Sequence, residues 1–495
     1  MGCAFLFSNA KVWNGVDFSA PQYLYVNEGR IIYQGAVEPI NLEGRVRKIN
    51  LARGYIIPGI VDIHTHADFT AISPIATENA LMQGVTRQVA GLCGFHPVYS
   101  ETVATEDYLR YTAFLGDTKM LKHSWDAFFE QINTIEPVKR YMLYGINSFL
   151  FSHPILDEDD IDNRVEQCIK EYRKHPFYGF SLSLNYHPVK SLPAKWLHQF
   201  MRKLLARLPV TCCYHVRNQK EDILPSIREV MSWHVGTQAR CHISHLKFGG
   251  NTHRGRFPER YKTLCAYRAQ ADFPLSWDTY PFAFASSTIT SLFPTTDFWK
   301  ENSIAEVYQW LKDNPPASLE AIRIQCDDER YSGQQIKQIA NMLGEDCLMA
   351  LIHICHELGG LGTYQRDFCC EEDLNWLLEQ PDVFIASDSF GLDHLHPRNT
   401  QTFTRVLIRA IEQGEQTLCA EVKRLQLGVK TVFPHIPMPL IAVGEIAELF
   451  FFTTELNQSQ DAFECSGTLI GEQLHITQQE QAQYERGQKT IETTF

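Results

Sequence analysis

The stretch Pro58-Gly59-Ile60-Val61-Asp62-Ile63-His64-Thr65-His66 limits what this chain can become. Val61, Ile63 and the apolar run before them read as a buried strand, and a buried parallel strand ending in ligand-type side chains is how a barrel presents a metal site. Histidines at i and i+2 on a strand point to one face, so His64 and His66 can hold one ion together. An isolated His-x-His is more often surface or satisfied core. The rest of the chain reverses that preference.

Downstream, apolar β-branched runs ending in a polar residue alternate with stretches of helical period, the signature of βα units around a parallel sheet. Candidate strands end near His66, Cys93, Ser148, Ser183, His215, His245, Asp278 and Asp388, which predicts an α/β fold with a TIM-like (β/α)8 barrel. Ile161, Val165, Cys168, Ile169 and Tyr172 share one helical face, behind an acidic run from Asp157 to Asp160 suited to a helix N-terminus. Ile223, Ile227, Val230 and Met231 repeat the spacing, as do Phe403, Val406, Leu407, Ala410 and Ile411, with Gly414 placed to end that helix.

The chain ends have a different texture. Short strand-like pieces at Phe5 to Phe7, Gln22 to Val26 and Arg30 to Tyr33 predict a small β domain over 1–55, closed into a sandwich by 430–495. The barrel then occupies 56–429. Its seventh and eighth strands are further apart than a βα connection needs, so 290–350 reads as an insertion or lid. Within it lie an amphipathic stretch from Ile304 to Leu311, a strand candidate at Ile322-Arg323-Ile324 and a helix candidate from Ile336 to Leu343. The last fifteen residues, rich in Gln and Glu, read as a helix or a loose tail.

Composition excludes several roles. A net charge of −13, from 45 basic and 58 acidic residues, argues against nucleic acid or an anionic membrane as partner. Fourteen cysteines show no small-domain spacing and read as reduced thiols. The first residues lack the basic region and apolar length of a signal peptide, and no apolar run approaches the ~20 residues of a membrane span. The expectation is a soluble cytoplasmic protein acting on a small molecule; its oligomeric state is not legible.

Barrel enzymes carry their chemistry at the C-terminal ends of the strands. Here those ends hold His64, His66, Cys93, His215, His245 and Asp388. Cysteine with imidazoles is a ligand set that suits zinc, and a carboxylate beside them can act as a general base. A lone cysteine is more often inert core, but Gly91 and Gly94 around Cys93 predict a tight, exposed bend.

These segments resemble a known group. Pro58-Gly59-x-Val61-Asp62-x-His64-Thr65-His66-x-Asp68, Gly84-Val85-Thr86 leading to Cys93-Gly94, His215-x-Arg217-Asn218, Ser244-His245-x-Lys247, Asp278-x-Tyr280-Pro281, Ser387-Asp388 and His396-Pro397-Arg398 are similar to the N-acyl-D-amino-acid deacylase (D-aminoacylase) family of the amidohydrolase superfamily. The resemblance runs in order from about residue 4 to 412. It implies a zinc held tightly by Cys93, His215 and His245, and a weaker second site at His64 and His66 that shares Cys93. It implies that Asp388 takes a proton from the attacking water and delivers it to the leaving amine. It also implies a clamp for the substrate α-carboxylate made of Lys247, Tyr280, Ser286 or Ser287, and Arg398, which would select D over L. The chain departs from the pattern at Phe151-Ser152-His153-Pro154, at Ser181-Leu182-Ser183-Leu184 and beyond residue 415, in loops that would set side-chain and acyl preference. Two other readings share the barrel: a cyclic-amide hydrolase of the dihydroorotase or hydantoinase kind, and a catalytically inactive scaffold. Cys93 and the lack of a strand-four lysine weigh against the first; the retained ligands weigh against the second.

Overall fold

The computed structural model describes residues 3–476 apart from 41, 44, 113–114, 116–117, 155–159, 296, 327, 391–395, 457–458 and 461. Most of the acidic run before Ile161, and the last fifteen residues, lie outside the described residues.

Five strands open the chain: β1 (Cys3–Val12), β2 (Gln22–Asn27), β3 (Arg30–Gly35), β4 (Arg45–Asn50) and β5 (Tyr55–Pro58). Seven parallel barrel strands follow: β6 (Ile60–Asp62), β7 (Val85–Ala90), β8 (Lys139–Gly145), β9 (Phe177–Ser183), β10 (Thr211–His215), β11 (Arg240–Ile243) and β12 (Leu275–Thr279). Next come the inserted strands β13 (Phe284–Thr288), β14 (Arg323–Gln325) and β15 (Thr363–Asp367), then the last barrel strand β16 (Phe384–Ile385), and finally β17 (Glu448–Phe452), β18 (Ser466–Ile470) and β19 (Gln473–Ile476).

The barrel sheet runs β16-β12-β11-β10-β9-β8-β7-β6. All eight expected strands are present, but several stop two to four residues before the expected ends, because the ligand-type residues sit in the turns that leave them. Side chains alternate as a period of two requires. On β10, Cys212 and Tyr214 face the helices, while Cys213 packs inside with Val89 and Leu143. His215, two residues further, therefore falls on the interior face. The helices Ile161–Lys174, Ile223–His234 and Arg398–Gln413 form where the apolar period predicted, and Gly414 caps the last with φ 111°.

No ladder joins β6 to β16 among the described residues. Past the strand ends the gap is closed by a parallel bridge between Thr65 and Ser389. The Asp388 N–H donates to the His64 carbonyl (2.9 Å) and the His66 N–H to the Ser389 carbonyl (2.8 Å). The buried Asp62 carboxylate reinforces this seam, accepting from the backbone N–H of His64 (3.2 Å) and Ser387 (3.1 Å) and from the Ser387 hydroxyl.

The terminal strands form one hydrogen-bonded sheet, β19-β18-β17-β5-β1-β2-β3, with β4 beside β1. The expected sandwich is thus continuous through β1, whose register shifts between Phe7 and Ala10. The first part of β1 pairs with β4 and the last with β5, and both halves share a core that includes Phe7, Val26, Ile49, Leu449 and Leu469. The insertion is a three-stranded sheet, β13-β15-β14, with helices that include Ile304–Asp313 and Ile336–Leu343 over its own core. It begins before and ends after the expected 290–350, because β13 is polar (Phe-Ala-Ser-Ser-Thr) and carries no apolar alternation.

Candidate metal centre

Four turns, after β6, β7, β11 and β16, deliver the centre. The turn after β7 places Cys93 between Gly91 (φ 79°) and Gly94 (φ 84°). A Cβ on Gly91 would lie 2.4 Å from the Leu143 carbonyl oxygen, and one on Gly94 1.9 Å from Asn147 Oδ1, so only glycine lets the turn lie this close to β8. The bend is tight, as expected, but buried: Cys93 is 4% exposed, because Phe69, Phe95 and Phe390 close over it. Cys93 (φ 51°), His245 (φ 40°) and Asp388 (φ 53°) all adopt the left-handed conformation that side chains avoid. Strain of about 1–3 kcal/mol per residue persists where the surroundings enforce it, and it concentrates at functional sites.

The result is a compact donor set. His64, Cys93, His245 and Asp388 each offer a ligand atom, all within 4.8 Å of one another. Cys93 Sγ lies 3.6 Å from Nε2 of both His64 and His245, and His64 Nε2 lies 3.3 Å from Asp388 Oδ1. Bonds of 2.0–2.3 Å to a tetrahedral ion put neighbouring donors about 3.3–3.8 Å apart, and the three separations just given fall in that range. His66 stands beside the group, its Nε2 3.4 Å from Asp388 Oδ1. His215 lines the same cavity with its ring centre 4.6 Å from that of His245, but falls outside the group of four. The sequence expectation placed His215 with Cys93 and His245, and His64 with His66 in a second site sharing Cys93; the four-donor group joins Cys93 to His64 and His245, with His64 tied by Asp278 and Asp388.

Asp278 is a residue that sequence reasoning left without a role, although it ends a strand. Its Oδ2 lies 3.2 Å from His64 Nδ1 and 2.8 Å from His242 Nε2, and its Oδ1 accepts from the His245 backbone N–H (2.6 Å). It thus orients two of the donors from behind. Burial opposes a charge on His64, yet Asp278 raises its pKa well above the usual value, while burial, aided by the neighbouring His245, carries His215 far below it. Burial would also raise Asp388, but Arg398 Nη1, 2.6 Å from Oδ2, and both histidines hold it well below the ordinary carboxylate range.

The expected clamp residues gather on one side. Lys247 is 2% exposed and its Nζ sits 2.9 Å from the centre of the Tyr280 ring, with no hydrogen-bond partner among the described residues. Burial pushes it down to about 7. The Arg398 guanidinium lies 5.4 Å from the Tyr280 ring centre and 4.5 Å from that of Phe390. Ser286 lines the inner cavity, of about 50 Å³, whereas Ser287 lines only the outer one, of about 420 Å³, and its hydroxyl meets that of Tyr186 at 3.2 Å. Tyr186, His215, Gln219 and Ser286 line both cavities. Gln219 and Phe390 were not singled out from sequence, and Tyr186 only as part of Asn185-Tyr186-His187-Pro188, without a role; each lies within five residues of a strand end or a ligand.

An N-acyl-D-glutamate deacylase from Alcaligenes xylosoxydans xylosoxydans is 25% identical over 419 residues, covering 83% of this chain and 79% of that protein. By sequence the chain is similar to N-acyl-D-amino-acid deacylases. Two solved structures share the fold of this chain. An N-acyl-D-glutamate deacylase from Bordetella bronchiseptica, solved with zinc and a phosphonate inhibitor, superposes with a TM-score of 0.74 at 21% identity, covering 95% of this chain and 96% of that one. A D-aminoacylase described as defining a novel subset of amidohydrolases gives 0.73 at 18% identity, covering 95% and 96%. No family model matches the chain. No helix among the described residues is long and apolar enough to cross a membrane, and none of the fourteen cysteines is in a disulfide.

Proposed function

We propose that this chain is a zinc-dependent hydrolase that cleaves the amide bond of N-acyl-D-amino acids, giving a carboxylate and a free D-amino acid. The observation that carries the reading is the pairing of a four-donor group around Cys93 with a buried lysine that has no hydrogen-bond partner among the described residues. The first fits a metal; the second fits an anion.

His64, Cys93 and His245 would hold one ion, with His66 and His215 lining the same cavity. When bound, zinc supplies Lewis acidity that polarises the amide carbonyl and lets water attack near neutral pH. Asp388 takes the proton from the attacking water and passes it to the departing amine; Arg398 keeps the carboxylate ionised for the first transfer. Lys247, Tyr280 and Arg398 hold the α-carboxylate, with Ser286 closing the inner cavity. With the carboxylate and the scissile carbonyl both fixed, only one hand of the α-carbon points its side chain into the outer cavity.

Lys220 and Arg366 line that outer cavity and make no salt bridge among the described residues. Burial and the nearby Arg366 both weaken the charged form of Lys220, as expected of cations gathered to receive an anion. Together with the naming of both deacylases above for D-glutamate, this favours an acidic side chain.

Amine release from N-acetyl-D-glutamate, D-aspartate, D-leucine and their L enantiomers, with zinc-loaded protein, tests the proposal. Expected are hydrolysis of D substrates only, acidic ones at least tenfold faster in kcat/KM, and loss of activity in Asp388→Ala. Turnover of dihydroorotate or hydantoins with none of the acyl amino acids would move the chain to the cyclic-amide hydrolases.

A further inference from the structure

His245 touches a side chain that none of the chemistry above uses. Its Nδ1 lies 2.6 Å from the terminal amide of Gln219, in the loop that follows β10. That contact can be made in two ways: the amide N–H donates to a bare Nδ1, or Nδ1–H donates to the amide oxygen. The other ring nitrogen decides between them. Nε2 faces Cys93 Sγ at 3.6 Å and belongs to the donor group, so it must be free of hydrogen when it ligates. The proton then resides on Nδ1 and the amide presents its oxygen; the two amide orientations are interconverted by a half-turn.

We infer that Gln219 is a positioning residue for the metal, holding His245 in the one tautomer and ring orientation that leaves Nε2 available. The inference rests on the metal reading of the site, and on nothing about the substrate. The loop is itself anchored, because the Gln219 carbonyl accepts the Gly249 N–H at 2.8 Å, four residues beyond His245. The residue four positions after one strand-end histidine thus supports the histidine of the next strand. The support is uneven across the centre. His64 leans on the Asp278 carboxylate and His245 on a neutral amide, while Nδ1 of His66 and of His215 has no partner among the described residues. Partners of ligand histidines fix the ring and raise its basicity, and removing one lowers metal affinity about 10–100-fold.

The test is zinc affinity of the metal-free protein, read by competition with a chromophoric chelator. Gln219→Leu, which keeps the bulk and removes the acceptor, is expected to bind zinc at least ~10-fold more weakly. Gln219→Glu keeps an acceptor at the same reach and is expected to match or exceed the parent. Circular dichroism and urea midpoints of the metal-free forms establish that each variant is folded, with Gln219→Ala replacing the leucine variant should it not fold. Equal affinities throughout, or equal losses in the Leu and Glu variants, would overturn the inference. Failure of the parent protein to bind zinc would remove the metal reading as well, so the two failures are distinguishable.

Discussion

At the scale of single residues, Lys247 sets function against stability. A buried amine that faces an aromatic ring and no hydrogen-bond acceptor among the described residues is costly, by about 1–3 kcal/mol for an unsatisfied buried polar group. Lys247→Met should therefore raise the urea midpoint while lowering kcat/KM at least tenfold, chiefly through KM, because a charge-assisted contact to a carboxylate is lost. A variant that is both less stable and fully active would contradict a role for Lys247 in holding the substrate carboxylate. Lys247 was legible in sequence because it lies two steps beyond a strand-end histidine. Asp278 and Gln219 were not, because the partner of each is a ring nitrogen at another strand end. Their work is done on other side chains, and which ring nitrogen meets which carboxylate is fixed only once the strands are side by side.

At the scale of elements, the barrel strands were readable as apolar runs and its helices from their period of 3.6, and the turns between them were not. Three ligand-bearing turns hold residues with positive φ, a conformation that local propensity disfavours and long-range contacts enforce. β4 and β13 escaped for a related reason, being rich in charged or hydroxyl side chains, with β13 pairing to a strand some 75 residues further on. The turn around Cys93 is the least forgiving. Gly91→Ala would put a methyl 2.4 Å from a carbonyl oxygen of β8 in a backbone conformation alanine resists. We expect at least ~2 kcal/mol of destabilisation and a loss of zinc binding out of proportion to it, since the displaced turn carries Cys93. Unfolding curves paired with metal analysis would separate the two effects.

At the scale of the whole molecule, a buried ion pair ties the barrel to the terminal sheet. Arg87 on β7 grips Glu448 on β17 through two bonds of 2.8 Å, and Lys139 on β8 reaches the same carboxylate at 3.3 Å. Burial works to raise the Glu448 carboxyl, but Arg87 and Lys139 hold it below the usual range. A depressed folded pKa stabilises above the unfolded value, near 4.3, and that stability is lost as pH falls through the folded pKa. Glu448→Gln should therefore flatten the acid limb of the stability profile below about pH 4.5. Arg87→Met, which strands the carboxylate, should cost about 3 kcal/mol at pH 7, with much of it recovered in Arg87→Met/Glu448→Leu. Denaturant titrations at pH 7 and pH 4 check both.

β5 pairs with β1 on one side and β17 on the other, although some 390 residues separate the end of β5 at Pro58 from the start of β17 at Glu448. On a ribosome adding roughly 5–20 residues per second, that interval lasts tens of seconds. Throughout it, the edge destined for β17, with Ile56 and Ile57 along it, is open to whatever nascent chain or chaperone is nearby. The vulnerable period in the life of this molecule thus falls during its synthesis, and its length is set by translation speed rather than by any contact in the finished fold.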